Sequence, residues 1–473
     1  MRRHPFAATN LISDPIHGYI ELTKRLDGVD VAGLGLPPET HAEVDLLDTA
    51  WLQRLRRISQ LQSARWVFPT AEHSRFTHGL GVMHEAGLWA RSLYPSLSST
   101  LAALGEPVPS EGLVVETLRI AGLLHDVGHG PFAHFFDEHV LAGFPAPPDA
   151  RRAGSKRLTH EDLSQLIIER ELAGPIEGLR RAPGAVPERD GFRPGEAIDP
   201  RWVSFLVSKP ALVDPSMPRW VRWLQPLLSG VFTVDNLDYV RRDAYLTGVA
   251  VGPVDVERLR RYTFISERGL TLYESGLGAL EMFLSARLFM YEQVYFHRTV
   301  RAIDLDLAEA FAPSIRALAG DGSPADALSA YADLDEYALL HQAARWARGE
   351  SVAADPVPGD GRVRPQVGAA WQGILLRRPT WRATDEVRAS YEGDAFPQTL
   401  FERLGTSEAG RVAVDLAIVD ARPADATATD LLLAIEGRDG RPAAPLSDSL
   451  KRLPAWSVIG RRYERVDRSD RLD

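Results

Sequence analysis

The chain reads as a mainly α protein, a helical core followed by a smaller C-terminal α+β extension. Two observations predict this. Apolar residues recur at helical spacing through the first 300 residues, and β-branched apolar runs bounded by turn signals stand at 412–419 and 431–435. A length of 473 residues exceeds one simple core and suggests a division into 1–310 and 311–473.

Residues 48–60 form an amphipathic helix, with Trp51, Leu52, Leu55 and Ile58 on one face and Arg54 and Arg57 turned away. Helices are expected at 77–93 and 114–125, and at 162–172 after a Thr159-His160-Glu161 start. Two longer ones cover 224–244 and 276–311. Within the last, the apolar stretch 279–296 is interrupted by Glu281, Arg287 and Glu292, which marks a buried amphipathic helix and not a membrane span. Breaks fall at 143–154, 182–200, 320–324 and 355–365, the last a linker into the C-terminal unit.

A net charge of -10 argues against bulk binding to nucleic acid or membrane. Cysteine is absent, so any transition metal must be held by His, Asp, Glu and water. Lysine is confined to Lys24, Lys156, Lys209 and Lys451; the positive charge is otherwise arginine, the better fork for phosphate oxygens. The first residues, MRRHPFAATNLISDP, lack the apolar run of a signal peptide, and a cytoplasmic protein is expected.

The chemistry concentrates in Leu123-Leu124-His125-Asp126-Val127-Gly128-His129-Gly130-Pro131-Phe132-Ala133-His134. An adjacent imidazole and carboxylate are a ready pair of ligands for a divalent metal. Eight of the 13 histidines lie between His73 and His160, far more than even scatter gives. One helix turn cannot surround a metal, so further ligands must come from elsewhere. His78 opens one helix, and Asp235 is an acid in an apolar helix, costly unless paired or ligated; Asp238 and Asp243 compete with it.

The order H…HD…D, with the text Asp14-Pro15-Ile16-His17-Gly18, Gln53-Arg54-Leu55-Arg56, Gln60-Leu61, Val67-Phe68-Pro69, Arg75 to Val82, His160-Glu161, Asp235 to Tyr239, Arg242 to Tyr245 and Val294 to Arg298, resembles the HD-domain deoxynucleoside triphosphate triphosphohydrolases. The resemblance covers roughly residues 10–305 and implies an HD-type phosphohydrolase core. It implies that His78, His125, Asp126 and Asp235 hold a divalent metal (Mg²⁺, Mn²⁺, Fe²⁺, Co²⁺ or Ni²⁺), and that water attacks the α-phosphorus of a dNTP, releasing deoxynucleoside and triphosphate. It makes His134 the general acid for the leaving oxygen, oriented by Asp137. Arg75, His129 and His160 would grip the triphosphate, Tyr239 would pack on the sugar, and Gln60 and Asp243 would meet the 3′-hydroxyl.

The segment Asp14 to Gly18, with Asp48 and Arg56, matches the region where relatives bind an activating nucleotide at a subunit interface, which implies a homo-oligomer, a dimer or tetramer. Two departures stand out. Asn236 replaces a phosphate-contacting lysine, a contact that another residue such as Arg242 would have to supply. An insertion at 143–156 separates the His-Asp segment from His160. Alternatives are an HD phosphohydrolase for another nucleotide phosphoester, with Gln60, Tyr239 and Asp243 as the discriminating residues, and a nucleotide sensor with little turnover.

Overall fold

Two short strands, β1 (Thr9–Asp14) and β2 (Gly18–Thr23), form an antiparallel hairpin in register from Thr9↔Thr23 to Asp14↔Gly18. Asp14 makes its turn: Oδ1 accepts the backbone N–H of Ile16 and of His17, each at 2.9 Å, and Gly18 takes a φ of +75° that side-chain-bearing residues avoid. The computed structural model describes residues 9–25, 40–148, 150, 156–184, 187–208, 214–392, 396, 399–421, 432–434, 444–445, 450 and 453–466.

The site is organised by two helices, Arg75–Ala103 and Glu111–Leu124. They approach through glycines. A Cβ on Gly122 would lie 2.9 Å from the Val82 carbonyl oxygen, and one on Gly79 would lie 3.3 Å from that of Leu123. That approach brings the rings of His78 and His125 to 5.1 Å. A third helix, Val234–Thr247, crosses the first at Gly81, where any Cβ would overlap Asp238 and Arg242.

The expected 48–60 helix is shorter. It runs over Ala50–Arg54, capped by Thr49, tightens into a 3-10 turn at Leu55–Arg57 and ends with Ile58 extended. Arg54 is not turned to solvent but fully buried, donating to the carbonyl oxygens of Leu334 and His129. The expected 224–244 helix is broken: Arg219–Leu224 and Pro226–Ser229 precede an extended Gly230, and Thr233 caps the new helix through Asn236 N–H at 3.0 Å. This break puts Asp235 in a helix's first turn. The 276–311 stretch divides into Leu277–Met290, a π turn at Tyr291–Tyr295 and Arg298–Ala319, capped by His297. That last helix runs through residue 310.

Sheets are small. β3 (Thr263–Ser266), β4 (Gly269–Tyr273), β7 (Leu432–Ala434) and β8 (Ala444–Pro445) form one in that order; β5 (Trp381–Tyr391), β9 (Trp456–Arg465) and β6 (Val412–Asp420) form another. The expected strands 412–419 and 431–435 correspond to β6 and β7, with residues 431 and 435 outside the described residues. Most of the later half of the 143–156 insertion is outside them too. β1–β5, β8 and β9 were not expected. The architecture is thus mainly α with α+β structure toward the C-terminus. One buried apolar cluster runs from Ile20 to Leu450 and takes in Leu339, Ala343, Trp346 and Trp371 of the later helices. Among the described residues no helix is long and apolar enough to cross a membrane.

Candidate metal centre and its cavity

Helix Glu111–Leu124 ends at His125, and the chain turns through 126–133 into helix His134–His139. The turn is strained. Phe132 and Ala133 take φ of +60° and +47°, a region that non-glycine residues occupy only when their surroundings force it. Three buried donors and acceptors from afar hold it. Arg54 Nη1 donates to the His129 carbonyl at 2.6 Å, Tyr331 Oη to the Gly128 carbonyl at 2.8 Å, and Glu336 Oε2 accepts the Phe132 N–H at 3.3 Å. Gly128 lies against helix His160–Leu166, where a Cβ would overlap the His160 carbonyl.

His78, His125 and Asp235 bring one ligand atom each within 4.8 Å of one another. His78 Nε2 stands 3.0 Å from Asp235 Oδ1, and His125 Nε2 3.7 Å from the same oxygen. Asp126 Oδ2 lies 3.4 Å from His125 Nε2 and 3.9 Å from His78 Nε2, and is paired with Arg75 Nη1. His125 Nδ1 faces the Gly122 carbonyl at 2.8 Å, which fixes Nδ1 as a donor and turns Nε2 toward the carboxylates, where a cation would take the place of its proton. That Nε2 is buried with no hydrogen-bond partner. Burial opposes charge on His125, yet Asp126 and Asp235 raise its pKa to about 10. Burial likewise works against ionised Asp235 and is outweighed by the two imidazoles, so its pKa falls. Two imidazoles and two carboxylates with an unpartnered buried nitrogen suit a divalent cation.

The neighbouring group is His129, His134, Asp137 and His160, whose ligand atoms also lie within 4.8 Å. His129 is fully buried and stacked on His160 with ring centroids 3.7 Å apart; both its nitrogens lack hydrogen-bond partners, and Nε2 is 3.3 Å from Asp126 Oδ1. Burial and the adjacent Arg75 cation push its pKa far down, so it is neutral. Asp137 Oδ2 meets His160 Nδ1 at 2.5 Å and His134 Nδ1 at 3.4 Å, so the shorter bond goes to His160. His134 is 66% exposed.

A cavity of about 820 Å³ adjoins both groups. His125, Asp126, Asp235, His134 and His160 line it, as do Arg75, Gln60, Tyr239 and Asp243. Asp243 is doubly engaged, with His73 Nε2 at 2.8 Å and Tyr295 Oη at 2.6 Å. Gln60 Oε1 is buried without a partner, and Tyr239 Oη accepts from Arg287 Nε at 3.2 Å. Arg242 does not reach the cavity, because it is spent on Asp238 and Asp14. The cavity's other arginines are Arg287 and Arg301; Arg301 belongs to a run that the sequence offers as a solvated or ion-paired face or a nucleotide contact, and Arg287 is visible there only as an interruption of an apolar stretch. Asp48 and Arg56 lie outside the lining. Asp48 is 66% exposed, and Arg56 sits 3.7 Å over the Phe76 ring.

Residues 75–183 match an HD domain, and residues 254–351 match an HD-associated region. The uncharacterized protein YwfO of Bacillus subtilis is 30% identical over 299 residues, covering 63% of this chain and 54% of that protein. The deoxynucleoside triphosphate triphosphohydrolase SAMHD1 of Homo sapiens is 29% identical over 313 residues, covering 64% and 44%. Its Dictyostelium discoideum homolog is 26% identical, covering 64% and 49%. The chain spans about half the length of the curated relatives it matches. A crystal structure of a hypothetical protein from Aquifex aeolicus shares the fold over 97% of this chain and 96% of that one, with a TM-score of 0.64 and 24% identity. The chain thus carries an HD domain and an HD-associated region, and over about 64% of its length it is similar to deoxynucleoside triphosphate triphosphohydrolases.

Proposed function

We propose that this protein is a metal-dependent phosphohydrolase that cleaves deoxynucleoside triphosphates to deoxynucleoside and triphosphate. The observation that carries the reading is the joint lining of one cavity by the His125–Asp126–Asp235 centre and by His134, His160, Arg75 and Tyr239. His78, His125, Asp126 and Asp235 would hold the cation. Bound there, a divalent cation supplies Lewis acidity to a phosphoryl oxygen and acidifies water.

The chain's own groups do the rest. Arg75 and His160 offer N–H donors to triphosphate oxygens, and Arg287 supplies the contact expected of Arg242. His129, buried behind His160, sets that ring's orientation by stacking. His134 hands a proton from Nε2 to the departing 5′-oxygen while Asp137 accepts from Nδ1–H and steadies the imidazolium. Tyr239 packs on the sugar, and Gln60 and Asp243 meet the 3′-hydroxyl. An activating nucleotide between subunits at Asp48 and Arg56 belongs to the same reading; both side chains stand at the surface, as such a role needs.

Incubating the protein with each dNTP and Mg²⁺ or Mn²⁺, with and without a second nucleotide, tests this. Inorganic triphosphate is expected; release of nucleoside monophosphate sinks the reading. One observation favours a second substrate class, a different nucleotide phosphoester. Both oxygens of Asp243 are already bonded within the protein, which weakens its claim on a 3′-hydroxyl. A Tyr239→Ala variant that keeps its deoxy-over-ribo preference would favour this class.

A further inference from the structure

Asp238 is wholly enclosed beside the candidate metal centre, and four donors surround it. His78 Nδ1 stands 2.8 Å from Oδ2 and His17 Nε2 stands 2.6 Å from Oδ1. Arg242 donates from Nε to Oδ2 at 2.8 Å and from Nη2 to Oδ1 at 3.0 Å. The side chains of His17 and Asp238 are 3% and 0% exposed. A carboxylate only accepts, so each imidazole nitrogen facing it carries the proton. For His78 this fixes Nδ1–H and leaves Nε2, 3.0 Å from Asp235, as the nitrogen that would give up its proton to a cation. A ligating imidazole is tuned in this way, by a carboxylate behind it.

His17 does not belong to the cavity; it arrives from the β1–β2 turn. The local sequence exists to deliver it. Asp14 holds the turn through Ile16 and His17 N–H, Gly18 supplies the positive φ, and Arg242 Nη1 bonds Asp14 Oδ2 at 2.8 Å, tying the turn to the same helix that carries Asp238. Gly81 leaves the space that Asp238 and Arg242 occupy.

We propose that His17 is a positioning residue of the metal centre. It holds Asp238, and through Asp238 the tautomer and ring angle of His78, so the hairpin turn is part of the support of the ligand shell. This inference rests on the metal centre proposed above and gives the Asp14–Gly18 segment a task separate from any nucleotide binding.

The test uses the full chain as wild type, His17→Leu and His17→Gln, each titrated with Co²⁺ and followed by its visible absorption, with melting temperature recorded alongside. His17→Leu removes the donor and is expected to weaken Co²⁺ binding about 10- to 100-fold and shift the absorption bands. His17→Gln keeps an N–H donor and is expected to recover most of the affinity and the wild-type bands. The inference is overturned if His17→Leu binds Co²⁺ as wild type does, with only its melting temperature lowered. It is equally overturned if the two variants lose affinity alike, or if both fail to fold, since a residue needed only to hold Asp238 is then the wrong description. A wild-type chain that takes up no Co²⁺ would instead sink the metal reading itself, and this inference with it.

Discussion

Asp304 gives the protein a measurable pH signature. It lines the cavity, bonded to Ser63 Oγ at 2.5 Å and Arg301 Nη1 at 3.2 Å, with its side chain 14% exposed. Burial lifts its pKa from 3.8 to about 6, against the pull of Arg301 and Ser63. Well below pH 3.8 the carboxyl is protonated in both the folded and unfolded chain and contributes nothing. Between 3.8 and about 6 the unfolded chain releases the proton and the folded chain keeps it, so stability falls as pH rises. Each unit of that gap is worth about 1.4 kcal/mol, and the whole is on the order of 3 kcal/mol.

Asp304→Asn cannot ionise. Relative to wild type it should gain on the order of 3 kcal/mol as pH goes from 4 to 7. With an unfolding entropy of about 2.1 cal/mol/K per residue, a 473-residue chain melts with about 1 kcal/mol/K. The Asn variant's melting temperature should therefore climb by about 3 °C relative to wild type over that range. Differential scanning calorimetry of the two proteins, compared at each pH so that other titrations cancel, reads this directly. A difference in melting temperature that stays constant from pH 4 to 7 refutes the argument.

Other perturbations follow from the packing. Gly122→Val pushes a side chain at the Val82 carbonyl and should cost about 1–3 kcal/mol, seen as a lowered melting temperature together with weaker metal uptake. Glu336→Ala strips the acceptor from Ser59 N–H, Phe132 N–H and Arg65, a loss of about 3–5 kcal/mol, whereas Glu336→Gln should retain part of it; chemical denaturation separates the two. Thr233→Ala removes the cap of the helix that carries Asp235 and should cost about 1 kcal/mol, with Mn²⁺ affinity falling in calorimetric titration.

The candidate metal ligands were legible because their identities sit in local text and no cysteine competes with them. What local text hides is who stands behind whom. Asp235 was singled out as a costly buried charge, yet its side chain is 32% exposed at a helix start, and Asp238 is the enclosed one. Only the break at Gly230 to Thr233 separates these cases, and apolar spacing alone runs through it. Arg54 sits off the apolar face of its helix and so reads as solvated; its acceptor at Leu334 lies 280 residues away, beyond any window of periodicity. β1 and β2 are six residues each, too short for their alternation to stand out from the helical text that follows.

The strained turn after His125 carries a consequence for how the chain is made. Its fasteners Tyr331 and Glu336, and the Leu334 carbonyl that satisfies Arg54, are translated some two hundred residues after the turn itself. Until they emerge, Phe132 and Ala133 have little to keep them left-handed, and the nascent helices wait with the His-Asp segment unset. Such long-range closure slows folding and leaves apolar surface open meanwhile. A fragment ending at residue 310 would hold every ligand of the centre and still lack the clamp that shapes it.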